Sequence, residues 1–208
     1  MQTRFWNIFC GIDVFIIIIF FTGQFRPEKD HALQIRAMFE LRQILEESEW
    51  SKVRLVLIGG CRNAEDEQRV QDLRDLCKHL SVESNVEFKL NVSFSDLCEA
   101  MRTAFIGLHT MENEHFGIAV VEMLAAGLLT IAHRSGGPLM DIVVEETNGR
   151  NGFLAGHDKE YAGVISYILG MNPEGRQAIR DRARSSVDRF SDRDFEMGWI
   201  RVTESLIN

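Results

Sequence analysis

Prolines and positive charge are scarce in this chain of 208 residues. Only three prolines occur, no long Gly/Ser stretch is present, and no internal repeat is visible, so nothing marks a boundary between two domains. The length suits one well-buried domain and is too short for two large ones. The formal net charge is −8 at pH 7, which argues against a nucleic-acid partner and against a polybasic surface for anionic lipid.

Patterns typical of disulfide frameworks and of metal sites are absent as well. The four cysteines, at positions 10, 61, 77 and 98, are widely spaced and have no histidine at ligand spacing. We therefore expect free thiols and no metal site. The Asp-x-Asp at Asp192 and Asp194 precedes a helical pattern, which favours a helix N-cap over a metal ligand.

The chain is very apolar near its beginning, over residues 5–21. This run is shorter than the about 20 residues that a membrane-spanning helix needs, and it contains Asp13. It favours a strand buried on both faces of a parallel sheet, with a membrane span as the alternative. Residues 1–13 receive no assignment, and residues 14–208 are assigned to one domain.

Strand and helix patterns alternate through the rest of the chain. The strands are expected over residues 14–21, 53–59, 86–88, 105–108, 129–132 and 153–154. The helices are expected over residues 30–47, 64–80, 94–101 and 118–126, and from 158 onward with breaks near 173 and 190. This alternation predicts an α/β fold with a Rossmann-like parallel sheet and helices on both faces. Ligands then bind at the carboxyl ends of the strands.

The most informative run is NEHFGIAVVEMLAAG, residues 113–127, in which Glu114 and Glu122 stand eight positions apart. It predicts a loop with one carboxylate, then a helix with the second about two turns in, ending at Gly127. A helix N-terminus binds anions, and Gly117 allows a ligand to approach its backbone closely. The flanking carboxylates suit sugar hydroxyls, so the run indicates a nucleotide-sugar: a diphosphate between two sugars.

Two further loops carry candidate ligand-binding residues. Arg26 and Lys29 follow the first strand, where a doubly wound sheet holds phosphates. A solvated cationic loop is the alternative for this pair. Gly59 ends the second strand, where it serves either a close ligand approach or a simple turn; both remain open.

Four blocks in order resemble the retaining glycosyltransferases of family 4, which have the GT-B fold. They are residues 23–31 (GQFRPEKDH), 55–70 (LVLIGGCRNAEDEQRV), 107–122 (GLHTMENEHFGIAVVE) and 132–144 (AHRSGGPLMDIVV). Within that family they look like the mannosyltransferases that build dolichol-linked oligosaccharides. The resemblance covers the C-terminal, donor-nucleotide half of the GT-B fold.

The resemblance implies a substrate pair and a place in the cell. The donor would be GDP-mannose, and the acceptor a dolichol-diphosphate-linked oligosaccharide at the cytosolic face of the endoplasmic-reticulum membrane. Protein cations would act in place of a metal cofactor. The N-terminal acceptor domain is missing from this sequence, so we expect the 208-residue chain to bind the donor without elongating the acceptor.

The resemblance also implies individual roles at the donor site. Glu114 would be the catalytic contact to the transferred mannose, and Glu122 would accept hydrogen bonds from ribose hydroxyls. The family has an arginine at the position of Gln24, so Arg26 is taken as its replacement beside Lys29 at the diphosphate. The remaining donor-site assignments are the backbone N–H groups of Phe116 and Gly117, a supporting role for His115, and base contacts from Leu90 and Val92.

Three other functions stay open on the sequence. Another family 4 transferase, such as a sucrose- or glycogen-type glucosyltransferase, shares most of these motifs. A non-catalytic nucleotide-sugar-binding module would keep the donor site and lose transfer. A dehydrogenase-like dinucleotide domain ranks low, because no G-x-G-x-x-G follows the first strand.

Overall fold

A single sheet of six parallel strands organises the computed structural model, which describes residues 16–145 and 149–207. The strand order is β3-β2-β1-β4-β5-β6. The expectations for residues 1–13, and for a strand beginning at Val14, lie outside the described residues. The strands are β1 Ile17–Thr22, β2 Val53–Gly59, β3 Val86–Leu90, β4 Ile106–Leu108, β5 Leu129–His133 and β6 Phe153–Ala155.

Eight α-helices are described, and the pattern-based helix predictions are confirmed apart from end shifts. The first expected helix, over residues 30–47, is divided, because Leu45 is extended and ends the first helix. The helices are α1 His31–Ile44, α2 Glu47–Trp50, α3 Ala64–His79, α4 Phe94–Thr103, α5 Ile118–Ala126, α6 Asp158–Gly170, α7 Pro173–Ser186 and α8 Asp192–Ile207.

The sheet lies between two helical layers because β1 is apolar on both faces. Ile19 and Phe21 belong to the large core that α1, α3 and α6 cover. Phe20 faces the opposite side, where it packs in a cluster that includes α4 and Met123 of α5. Burial of large apolar side chains on both faces is what a central parallel strand requires. The predicted Rossmann-like fold is confirmed.

The strand order creates one position where successive connections run in opposite directions across the sheet. The chain builds outward from β1 to β2 and β3, then returns past β1 to add β4 on its other side. The crevice at the carboxyl ends of β1 and β4 is therefore the topological switch point, where open α/β sheets bind ligands. No helix in the described ranges is both long enough and apolar enough to cross a membrane.

Gly59 shows how closely the loops after β1 and β2 approach each other. A Cβ added at Gly59 would overlap the carbonyl oxygen of Gly23 and lie 3.0 Å from the Phe25 ring. Gly59 therefore packs against the loop after β1, a contact that the sequence did not indicate, and the ligand-approach and turn interpretations both stay open. Substitution must therefore shift the backbone.

We expect Gly59→Ala to lower the free energy of unfolding by about 1–3 kcal/mol, the usual cost of overpacking. Gly163, within α6, is the matched control, because a Cβ there meets nothing within 4 Å. Gly163→Ala should raise helix stability by about 0.5–1 kcal/mol. Urea titrations of both variants measure the effects, and equal stabilities would contradict the packing argument.

Candidate functional site

The loop after β1 directs Lys29 to the switch point. A 3-10 turn spans Pro27–Lys29, and Asp30 follows in the left-handed region with φ of 43°. The Asp30 carboxylate then caps α1 by accepting the N–H of Leu33 at 3.0 Å. This tight turn and cap fix the position of Lys29 at the entrance of the crevice.

The loop after β4 is hydrogen-bonded to the loop after β1. The hydroxyl of Thr110 donates to the carbonyl oxygen of Lys29 at 2.8 Å and accepts from the amide of Gln34 at 2.7 Å. Thr110 and Gln34 are both buried. Since a buried polar contact is costly to leave unmade, these bonds hold the two loops in register.

Lys29 and Glu114 meet in the crevice although 85 positions separate them. Lys29 Nζ lies 3.1 Å from Glu114 Oε2 and also donates to the sulfur of Met111 at 3.2 Å. Partial burial would raise the pKa of Glu114, but the hydrogen bond and charge of Lys29 outweigh it and the pKa lies below its ordinary value. Glu114 therefore stays an anion at neutral pH.

A second side chain at Glu114 is His109, which the sequence reasoning did not single out. It follows β4 directly, is 2% exposed, and its Nε2 lies 3.5 Å from Glu114 Oε2. Burial lowers the pKa of His109 to about 4 against the opposing influence of Glu114, so the ring is neutral at neutral pH. His115, which the sequence assigned to the donor site, is exposed. The one sequence feature that could have indicated His109 as a site residue was its position directly after a predicted strand.

The loop after β5 packs against the backbone of the Glu114 loop. The N–H of Asn113 donates to Ser135 Oγ, and the N–H of Gly137 donates to the carbonyl of Glu114, both at 2.8 Å. A Cβ at Gly136 would overlap that same carbonyl, and Gly136 has a φ of 54°. Gly136 and Gly137 thus have a backbone role, since a side chain at either position would collide with the Glu114 loop.

The predicted helix after the motif loop is α5, and its bounds match the prediction. Gly117 begins it with φ of 106° and no side-chain cap, which leaves first-turn N–H groups available for an anion. Phe116 is 40% exposed, with its ring edge-on to Phe190 at 5.4 Å. Phe116 and Gly117 therefore lie at the start of α5, and the backbone contacts expected of them stay a prediction.

Glu122 differs from expectation in two respects. It is the fifth residue of α5, so it lies little more than one turn into the helix. Its side chain is exposed, whereas its neighbours Val121 and Met123 are buried. The apolar neighbours of Glu122 in the sequence predict a carboxylate near buried surface, and that prediction is wrong. The assignment of Glu122 to ribose depends on the family resemblance and stays a prediction.

The other predicted residues lie at the same edge of the sheet, and their side chains do not bond to the Lys29–Glu114 pair. Arg26 makes an ion pair with Glu28 at 3.8 Å. Gly59 is paired with Leu90 in the β2–β3 register, and Val92 packs on the opposite face of the sheet from Leu90. The N–H of Lys29 donates to the carbonyl oxygen of Arg26 at 3.2 Å. Within the described residues, no side-chain hydrogen bond or ion pair joins any of these four to Lys29 or Glu114.

The described part of the chain holds no group of three or more His, Cys, Asp or Glu side chains that could bind a metal ion. The Asp-x-Asp at the start of α8 follows Ser191, whose hydroxyl accepts the N–H of Asp194 at 3.3 Å. This is the N-cap arrangement that the sequence predicted for that motif.

The fold and the crevice define one half of a GT-B glycosyltransferase. The structure superimposes on a glycosyltransferase from Rickettsia africae with a TM-score of 0.77 at 18% identity, covering 93% of this chain and 48% of that one. The chain belongs to the family described as Glycosyl transferases group 1, which matches residues 15–186. The predicted family resemblance is confirmed, and the dehydrogenase-like alternative is removed.

Curated relatives are similar over most of this chain. A mouse protein (Mus musculus) named GDP-Man:Man(3)GlcNAc(2)-PP-Dol alpha-1,2-mannosyltransferase is 50% identical over 185 residues, which are 89% of this chain and 38% of the relative. The human protein (Homo sapiens) of the same name is 51% identical over 184 residues, 88% of this chain and 37% of the relative. The chain thus spans less than two-fifths of the length of these relatives.

His31 is the other buried histidine near Lys29. Its ring stacks on Phe25 at 4.7 Å and meets Phe21 edge-on at 4.8 Å. Burial, followed by the charges of Arg69 and Lys29, lowers its pKa from 6.5 to about 4. Because the folded pKa lies below the unfolded value, the unfolded chain binds more protons between these two pH values. The free energy of unfolding therefore falls as the pH drops from 6.5 towards 4.

We expect His31→Phe to flatten this pH dependence while preserving the ring stack. The wild-type histidine contributes a slope of up to about 1.4 kcal/mol per pH unit inside that window. Urea unfolding of both proteins between about pH 7 and about pH 4.5 measures the difference. Identical slopes would show that His31 does not titrate in this way.

Proposed function

We propose that this chain is the donor-binding part of a retaining α-1,2-mannosyltransferase that uses GDP-mannose. The similarity to the mouse and human mannosyltransferases carries the proposal, since it extends over nearly nine-tenths of this chain and includes the Glu114 loop. Family membership supports the reaction class, and the names of the relatives support the donor and the acceptor.

The contact between Lys29 and Glu114 supports the assignment of the reacting end of the donor. In a nucleotide-sugar, the sugar is bonded directly to the diphosphate, so a cation for the phosphate and a carboxylate for the sugar must be neighbours. The distance of 3.1 Å between Lys29 Nζ and Glu114 Oε2 fits that requirement. Both Lys29 and His109 approach Oε2 of Glu114, which leaves Oε1 to accept a sugar hydroxyl.

The rest of the donor extends along the carboxyl edge of the sheet. Glu122 accepts the ribose hydroxyls, and Leu90 and Val92 border the base. Arg26 and the free N–H groups at the start of α5 join Lys29 at the diphosphate. Catalysis then consists of holding the donor in reactive geometry and stabilising the leaving diphosphate electrostatically, without a metal ion.

The acceptor in this proposal is a dolichol-diphosphate-linked oligosaccharide, presented at the cytosolic face of the endoplasmic-reticulum membrane. Its binding surface belongs to an N-terminal GT-B domain. A donor-binding module without transferase activity is the second candidate. Turnover on a dolichol-linked acceptor separates the two candidates.

Nucleotide selectivity is the test of the donor. The purified chain should bind GDP more tightly than UDP or ADP in calorimetric titrations. Millimolar EDTA should leave GDP affinity unchanged, because protein cations compensate the diphosphate in this proposal. Equal or tighter UDP binding would exclude GDP-mannose and favour another group 1 transferase.

Lys29→Met should weaken GDP binding by about tenfold or more and leave guanosine binding unchanged. The substitution keeps the aliphatic stem and removes the charge that bonds to the diphosphate, a loss of about 1.5 kcal/mol or more. Glu122→Ala should give the opposite pattern, weakening GDP and guanosine alike, because both ligands contain the ribose.

Glu174→Ala is the matched control for the second variant, since Glu174 is also exposed on a helix and lies in the first turn of α7, away from the crevice. It should bind GDP as the wild type does. If Glu122→Ala behaves like this control, Glu122 is a solvated helix residue and its ribose assignment fails.

A further inference from the structure

His109 has a placement that core packing alone does not explain. Both ring nitrogens are buried, and neither makes a well-formed hydrogen bond. Nε2 lies 3.5 Å from Glu114 Oε2, at the outer limit of hydrogen-bond distance. An imidazole buried without partners is costly, so an apolar residue would fill this space at lower cost if packing were its only role.

The backbone of His109 is fixed on both sides. Its N–H donates to the carbonyl of Ile131 at 2.9 Å, and its carbonyl accepts the Tyr161 hydroxyl at 2.7 Å. Tyr161 is fully buried in α6, and burial raises the pKa of its phenol, which keeps it protonated as a donor. These two bonds fix the backbone position from which the ring extends, and the ring itself is 2% exposed.

The charge state of the ring suits a hydrogen-bond donor that leaves the carboxylate negative. A neutral imidazole carries one N–H, and the negative Glu114 favours the tautomer with that proton on Nε2. The charged or titratable groups around the ring are Glu114, Lys29 and His133. Lys29 is the one lysine or arginine among these three groups.

We propose that His109 is a positioning residue, whose Nε2–H holds Oε2 of Glu114 so that Oε1 faces the sugar of the donor. Lys29 holds the same oxygen from the other side. The proposal rests on the proposed function, in which Glu114 contacts the transferred sugar. It concerns the orientation of the carboxylate, and His109 itself does not touch the donor.

Differential binding of GDP-mannose and GDP tests this role. His109→Phe keeps the ring and removes the N–H, so it should weaken GDP-mannose about tenfold, as expected for one hydrogen bond to a charged group. GDP, which lacks the sugar, should bind as before. His109→Gln puts an N–H near the position of Nε2 and should restore most of the GDP-mannose affinity. In a Glu114→Ala background, His109→Phe should have no further effect.

The matched control is His31→Phe, which removes a buried imidazole that has no contact with Glu114. It should alter the affinities of GDP-mannose and GDP by the same factor. An equal loss of both ligands in His109→Phe, or no rescue by His109→Gln, would reduce His109 to a core residue and overturn the proposal.

A ligand-free measurement keeps this test separate from the proposed function. Long-range ¹H–¹⁵N spectra should show His109 as the Nε2–H tautomer with a proton protected from exchange, and Glu114→Ala should remove that protection. An Nδ1–H tautomer, or a signal that Glu114→Ala leaves unchanged, would refute the contact. If the contact is present while the chain binds neither GDP nor GDP-mannose, the donor assignment fails and the positioning contact stands.

Discussion

The pairing of β1 with β4 is the constraint on which the site depends. β1 already binds β2 along its whole length, and β4 adds to its free side through Ile19–Ile106 and Phe20–Gly107. Because all strands are parallel, their carboxyl ends meet at one edge, and the loops after β1 and β4 become neighbours. A lysine and a glutamate 85 positions apart are thereby brought into an ion pair.

Glycines allow the loop after β5 to pack directly against the loop that carries Glu114. The loop after β5 lies directly on the carbonyl of Glu114 because Gly136 and Gly137 have no side chain there. On the other side, Thr110 and Gln34 connect β4 to α1 through buried hydrogen bonds. The carboxylate of Glu114 is consequently held by strands, helix and loops together, which is the kind of rigid support that a catalytic group needs.

Local signals made much of the fold predictable. Helix α5 has its expected bounds because Gly117 and Gly127 both have positive φ, and glycine adopts that conformation readily. Strand β2 likewise matches its apolar run. Lys29 was assigned to the site by its position after a strand, and Glu114 by its motif and the family resemblance. Their direct contact depends on strand order, which single-residue patterns do not encode.

Side-chain direction was the part that the sequence did not determine. Glu122 has buried neighbours in the chain, yet successive residues of a helix point about 100° apart, so a buried neighbour does not imply burial. The choice between His109 and His115 depends on the path of the loop between them, which turns at Asn113 with φ of 55°. Neither the exposure of Glu122 nor the position of His109 beside Glu114 can be inferred from the residue types alone.

The charge balance around Glu114 explains how one lysine can serve two anions in the proposed function. An ammonium group has three donors, and in the free protein Lys29 uses one for Glu114 and one for the sulfur of Met111, which is a weak acceptor. A diphosphate can take the bond now made to sulfur, so a weak contact is replaced by a charge-assisted one while the ion pair persists. Partial burial stabilises the ion pair against separation, because a poorly solvated carboxylate would otherwise be left without its cation. The same ion pair can therefore orient the carboxylate before the donor binds, and it persists while Lys29 also bonds to the diphosphate.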